Sequence, residues 1–482
     1  MTDQPAHAAH AAQRAQAVEA AETGPAAGRA RARRGRRRAL LGGAGAGAVA
    51  ILAGCARQGG GQGIQERKTA REVTVKWEPW GTTTMPNVAA PRAFRIFQEQ
   101  HPNIKMELWS RPRAPGVDAV VEQTAAMLAD AGPDILQHCC QNGYNLARQG
   151  FFVNLDPLIK RDISEAIQRD WVPWLVEIFR TKEEGQFALP MYTGTIGLYY
   201  NRTAFQRAGL PFPDASWDWE KYAEVSTRLT DVANQQWGRR LITSYDRTQQ
   251  RLHQAGARYV DPRDNRKCVV DSPAALRALQ YEFDAGWKHQ HAAREGAPGF
   301  PALAGMNEAQ AFAAGRFTMN EEGSWRLVSY LTDVSPHVDW DVAPLPRGPV
   351  QRDTLATNDG WSMWKGSKVL DEAWEWMKFL QGDEWMTINT QATGQQAGRK
   401  SFQDSWVRLL KEANPGLADK NLKPFTDAVT ENYARPIELF ARHNDAGPLM
   451  SRAMNDSIRD GKVSVEQAYG EACRQINALH AQ

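Results

Sequence analysis

From Val73 the chain alternates. Val73, Val75 and Trp77 are apolar and Thr74 and Lys76 polar, a period of two that predicts a strand. In "PRAFRIFQEQHP", Phe94, Ile96 and Phe97 cluster as they would along a helix, which should end before Pro102. Ile104, Met106 and Leu108 then alternate with Lys105 and Glu107. Strand, helix, strand is the unit of a parallel sheet. "VDAVVEQTAAMLADAGPDILQ" repeats it: an amphipathic helix, a stop at Gly132-Pro133 and a short buried strand around Ile135–Leu136. "GQFALPMYTGTIGLYYNRTAF" reads as extended chain interrupted by Pro190. "SWDWEKYAEVSTRLTD" opens a helix with Ser216 as its expected N-cap, ahead of Asp218 and Glu220. "NEAQAFAAGRFTMNEEGSW" predicts a helix, a stop at Gly315, a strand and a turn at Gly323-Ser324. "VDWDVAPLPRG" is a strand running into prolines. "LDEAWEWMKFLQGDEW" is a helix with Ala373, Trp376, Phe379 and Leu380 on one side, and the chain from Ser401 reads as largely helical.

Ahead of Val73 the pattern is different. An arginine cluster precedes the small-residue apolar stretch Ala39–Ala53, the layout of an export signal. At about fifteen residues the stretch is shorter than the roughly 20 a spanning helix needs. Leu52-Ala53-Gly54-Cys55 resembles the bacterial lipobox, which implies cleavage before Cys55 and a lipid on its thiol. Arg37-Arg38-Ala39-Leu40-Leu41 resembles a twin-arginine signal without the usual aromatic after the pair; the general secretion route stays open. Gly59-Gly60-Gly61-Gln62-Gly63 reads as a flexible tether, giving a lipidated linker over 55–71.

The signal also carries the chain's basicity. Residues 1–54 hold 8 Arg and 3 acidic residues, so the formal +3 of the whole becomes −2 without them. No basic stripe or zinc-finger spacing remains to suggest nucleic acid. The 428 residues from Cys55 exceed one simple core, and two lobes are the default. Beyond Cys55 the cysteines are Cys139, Cys140, Cys268 and Cys473; export permits disulfides, Cys268–Cys473 among them, and three connectivities stay open. His138-Cys139-Cys140 lacks a second ligand cluster and reads as a buried strand end rather than a metal site.

Several stretches in order carry a family resemblance: "VTVKWEPWG", "AGPDILQ", "LARQGFFVNLDPLIK", "ALPMYTGTIGLYYNRTAFQRAGLP", "SWDWEKYAEVSTRLT", "AFAAGRFTMNEEGSW", "WDVAPLP", "GSKVLDEAWEWMKFL" and "TGQQAGRKS". Together they resemble the extracellular solute-binding proteins of ABC importers, family 1, the carbohydrate binders related to maltose- and glycerol-phosphate-binding proteins. The resemblance implies an α/β, two-lobed periplasmic-binding-protein-like type II fold with a hinge and an interlobe cleft. By analogy lobe one is 72–189 plus 360–399 and lobe two 190–358 plus 400–482, with crossings near Leu189-Pro190-Met191 and Thr357–Gly360. It further implies a monomer working with permease subunits and a separate ATPase, and no cofactor.

A sugar offers apolar C–H faces and a rim of hydroxyls, so its binder needs flat aromatics and planar polar groups. The chain has 17 Trp, most of them expected in core. Trp80 and Thr82 follow the first strand, at the strand end where α/β folds bind ligands. Trp325 follows the Gly323-Ser324 turn and matches a stacking aromatic of the family. Trp361 lies beside Asn358-Asp359-Gly360, where the family more often has a run of glycines; "NDG" would narrow the cleft or add polar contacts. Gln141, Asn142, Tyr192, Thr193 and Asp359 are the expected hydroxyl partners, with Tyr245 and Arg435 from lobe two. If Arg399 or Arg435 faces the cleft rather than the surface where such arginines more often sit, an anionic ligand such as a glycerophosphodiester joins the alternatives. The chain has no Walker A sequence, Gly-x-Ser-x-Gly elbow or His-Glu-x-x-His. A solute receptor is therefore the reading, with a polyamine or metal binder of the same fold and an exported polysaccharide-active enzyme as alternatives.

Overall fold

Residues 71–80, 85–109, 119–294 and 306–481 are described by a computed structural model. They lie within one structural unit, Lys68–Gln482. The export signal, Cys55, most of the tether and Thr82 fall outside the described residues.

Among the described residues, eight strands form one mixed sheet: β1 (Val73–Glu78), β2 (Ile104–Leu108), β3 (Ile135–Cys139), β4 (Leu189–Asn201), β5 (Met319–Gly323), β6 (Trp340–Ala343), β7 (Thr354–Met363) and β8 (Ala434–Pro436). The order runs β5-β4-β7-β3-β1-β2, with β6 also on β4 and β8 also on β7. The helices that bear on the site are α1 (Ala90–Gln100), α2 (Ala119–Leu128), α3 (Cys140–Arg148), α4 (Trp219–Arg228), α5 (Tyr245–Gln254), α6 (Glu308–Ala313), α7 (Leu370–Phe379), α8 (Asp383–Thr393), α9 (His443–Met454) and α10 (Val465–Ala481).

The two helix-linked repeats at the start of the fold place β1 parallel to both β2 and β3. Their core is aromatic. Trp77 is fully buried with its ring 5.3 Å from Trp361, 5.1 Å from Trp376 and 5.4 Å from Trp385. The apolar side of α7 closes over it, with Ala373, Trp374, Trp376 and Met377 buried. A disulfide joins Cys268 to Cys473 on α10.

β4 and β7 are the long strands, and each serves two parts of the sheet. β4 pairs β7 over Leu189–Thr195 and then β5 and β6 over Ile196–Asn201. β7 pairs β8 over Thr354–Ala356 and β3 over Asp359–Met363. The segment after α8 joins them: the Thr193 N–H donates to the Gln396 carbonyl at 3.1 Å.

Two local expectations are corrected. Pro190 does not interrupt the extended segment; β4 runs through it. The ladder shifts register between Asp359 and Gly360, opposite Pro190, and an irregular pair tolerates a residue that cannot donate. The N-cap of α4 is Asp218, not Ser216: the Asp218 carboxylate accepts the Lys221 N–H at 2.8 Å. A carboxylate there also complements the helix dipole, while Ser216 is bound to Asp214.

Candidate functional site

Where β3, β7 and β4 run side by side, the residues are polar yet buried. Asp359 lies in register with Cys139 on β3 and Tyr192 on β4. Its Oδ2 accepts from Gln137 Nε2 at 2.6 Å, and Gln137 Oε1 accepts the Trp80 N–H, also at 2.6 Å. Thus one amide ties the loop after β1 to the carboxylate. Burial pushes the Asp359 carboxyl up to about 7. Burial also raises the Cys139 thiol to about 12, helped by Asp359 and by Asp246 at the start of α5. One residue along, Thr193 and Asn358 face each other across the ladder, both fully buried. Among the described residues, the Thr193 hydroxyl and both amide atoms of Asn358 have no hydrogen-bond partner.

Trp325 has a seat built for it. A Cβ added to Gly194 on β4 would stand 2.6 Å from the indole, and one added to Gly323 would overlap the ring. Side chains at these positions would exclude the ring. The Arg247 guanidinium lies over the indole, 5.3 Å from its centre, and Nη2 of Arg247 is 2.8 Å from Glu322. On the same helix as Arg247, Tyr245 shares a hydrogen bond of 2.8 Å with His443 Nε2. Burial lowers His443 to about 4, so its ring is neutral.

Next to Trp325 is a pocket of about 170 Å³ with Arg240, Ser244, Arg247, Gln250, Glu308 and Arg326 in its walls. Sequence reasoning missed it. Its one local signal is "RRLITSYDR", three arginines placed just before and within the first turn of α5.

Of the expected residues, the structure brings together Trp80, Tyr192, Thr193 and Asp359 and sets Trp325 against Gly194, next to Thr193, whereas Tyr245 packs with His443 and Tyr259. Trp80 and Asn142 are half-buried and Tyr192 is buried. Gln141 is placed in the first turn of α3. The expectation for Trp361 is corrected. It is fully buried against Trp77 and Trp385, because two residues beyond Asp359 the strand has entered the aromatic core. Arg435 is not brought to this cluster: it donates to the carbonyls of Asn432 and Ala434 and stands 3.7 Å from Asp353. Arg399 is held by Asp170 and Asp383 and has no charge to spare for a phosphate. His138 is fully buried, lowered to about 3 by burial, and bonded to Ser362 at 2.6 Å. Among the described residues no group of three His, Cys, Asp or Glu is arranged to hold a metal.

Long strands shared by two parts of the sheet thus carry buried polar groups and a seated indole at their junction. The chain belongs to the family of bacterial extracellular solute-binding proteins, whose profile matches residues 77–387. Binding proteins of Brucella abortus (strain 2308) and Brucella suis biovar 1 (strain 1330) are 26% identical over 214 residues, 43% of this chain. The match spans about half, 49%, of the length of those relatives. Among solved structures, the substrate-binding protein Lmo0181 of Listeria monocytogenes, in complex with cycloalternan, superposes with a TM-score of 0.71 at 18% identity, over 85% of this chain and 99% of that one. UgpB of Mycobacterium tuberculosis, in complex with glycerophosphocholine, superposes with a TM-score of 0.69 at 18% identity, over 85% and 98%. The cyclic alpha-maltosyl-1,6-maltose binding protein of Arthrobacter globiformis gives 0.69 at 18% identity, over 85% and 99%. The fold is therefore the two-lobed, mixed α/β type with a hinge and an interlobe cleft.

Proposed function

We propose that this protein is the solute receptor of an ABC importer, that it captures a sugar or oligosaccharide between its lobes, and that it hands the solute to membrane permease subunits served by a separate ATPase. The observation that carries the reading is the Trp325 indole, laid on two glycines beside a ladder of buried, partly unpartnered polar groups. A flat ring next to unfilled donors and acceptors suits the C–H face and hydroxyl rim of a sugar. The proposed lobes are 72–189 with 360–399 and 190–358 with 400–482, and the shared ladder of β4 and β7 is the proposed hinge. Across those lobes Asn145 meets Asn444, and Tyr144 lies 3.4 Å from Asn265. Such contacts would break on opening. Lipid on Cys55, after export by the signal of residues 1–54, would hold the receptor near its permease and raise the effective concentration there. It would act as a monomer.

The test is thermal unfolding against sugars, oligosaccharides, glycerophosphodiesters and polyamines. A ligand at 100 times its Kd adds about 2.7 kcal/mol of stability. A shift with one carbohydrate class supports the receptor; a shift with none of the panel rejects it. New reducing ends in an oligosaccharide incubation would instead establish the polysaccharide-active enzyme.

A further inference from the structure

We infer that Asn145 and Asn444 form a latch that holds the proposed lobes closed, and that His443 is the residue that positions it. The inference rests on the reading of the lobes as closing on a solute, and it names the contact that sets how readily they do so.

The latch lies on the cleft's side of the shared ladder. α3 begins at Cys140, directly after the end of β3, where Cys139 stands in register with Asp359. The first turn of α5 faces that strand end: Asp246 in this turn adds to the burial that raises the Cys139 thiol. Arg247, the next residue, lies over Trp325. Farther along α3, Asn145 Nδ2 donates to Asn444 Oδ1 in the first turn of α9. Beside it the Asn265 amide donates to the Tyr144 hydroxyl at 3.4 Å, and the Asn265 carbonyl accepts the Ala441 N–H at 2.9 Å just ahead of α9. The neighbouring charge, Asp445, is engaged by Arg442 at 2.8 Å, so the latch joins neutral amides. Contacts on this side part when the lobes open and therefore favour the closed state, whereas contacts behind the ladder would favour the open one.

The first turn of α9 is braced from two directions. The Arg442 N–H donates to His480 Nε2 at 3.1 Å and its guanidinium to the Leu479 carbonyl at 3.0 Å, both at the end of α10. From the other direction Tyr245 on α5 holds His443 Nε2. Among the described residues His443 Nδ1 has no partner, so this one bond fixes the ring next to Asn444. A turn held in this way presents the Asn444 amide in one orientation, and a preorganised group loses less entropy when it binds. Because Tyr245 and Arg247 share the first turn of α5, the brace also ties the latch to the helix that touches the indole.

The experiment is small-angle X-ray scattering of the full-length chain at low salt with no sugar added, each profile fitted as a mixture of open and closed forms. Asn444→Ala removes one neutral hydrogen bond and should shift the open-to-closed ratio about two- to tenfold toward open. Asn145→Asp with Asn444→Asp sets two carboxylates against each other and should give a larger radius of gyration than the parent. Asn145→Lys with Asn444→Asp restores an attraction and should return it to the parent's value. His443→Ala should open the molecule in part, while His443→Gln, which keeps a polar group for Tyr245, should not; unchanged circular dichroism checks that each variant is folded. Equal radii in the parent and the double aspartate variant, a smaller radius in that variant, or no return with the lysine–aspartate pair would overturn the latch. Equal radii in His443→Ala and the parent would overturn the role of His443. A solute that still raises the unfolding temperature would leave the receptor reading standing in each case. Failure of every solute in the unfolding panel would overturn that reading, and the scattering series, which uses no solute, would still decide for or against the latch.

Discussion

Asp359 gives the sharpest physical test of the junction. Asp359 is 5% exposed and, among the described residues, its carboxyl has one hydrogen-bond donor, Gln137. Burial lifts its pKa from 3.8 to about 7 in the folded chain. The folded state therefore binds a proton more tightly than the unfolded chain. Stability from this group is fully present below about pH 4, falls as pH rises through the window, and is lost above about pH 7. Three units at 1.36 kcal/mol each make the loss about 4 kcal/mol. Asp359→Asn keeps an oxygen for Gln137 and removes the charge. The variant should match the parent near pH 4 and exceed it by about 2 to 4 kcal/mol above pH 7, measured as the difference between paired urea transitions across pH 4–8. Comparing the two proteins at each pH cancels every other titrating group. A variant less stable than the parent at pH 8, or a gap that does not change with pH, would refute the reasoning. If Asp359 also meets the solute, the same variant binds it more weakly while folding more stably, the trade expected of a functional site.

Gly194→Ala pushes a Cβ against Trp325 and Thr357; overpacking should cost about 1–3 kcal/mol and weaken solute binding in calorimetry. Trp325→Ala should weaken binding and leave the far-UV circular dichroism unchanged. Cys473→Ala opens a bridge between residues 205 apart in sequence, and loop entropy puts the loss at about 5 kcal/mol, read as a lower Tm that reductant reproduces in the parent. Cys55→Ser should release the protein from membranes into the soluble fraction on cell breakage.

The fold was legible where one face of an element is buried. The alternation from Val73 and Ile104 and the apolar side of α7 became β1, β2 and a core helix because burial imposes the period directly. Capping was read less well, because Ser216 and Asp218 are both good N-caps and only the bridge between Asp218 and Arg347 and the bond from Lys221 show which one is used. The tryptophans mark the limit at the site. Trp325 and Trp361 each follow a polar turn containing glycine, and from the sequence they look alike. What separates them is the surface their rings meet. Trp361 meets Trp77 and Trp385, which reach it from β1 and α8, so its ring is enclosed. Trp325 meets Gly194, which offers bare backbone, and Arg247, which offers charge. The same holds for the pocket charges. Arg240 and Glu308 lie far apart in the chain and become partners only when the start of α6 packs near the Arg239–Arg240 strand. Residues that fill a core obey a local period. Residues that hold a solute need the absence of a side chain opposite them, so the glycines on β4 and β5 carry more of this site's information than the aromatic they support.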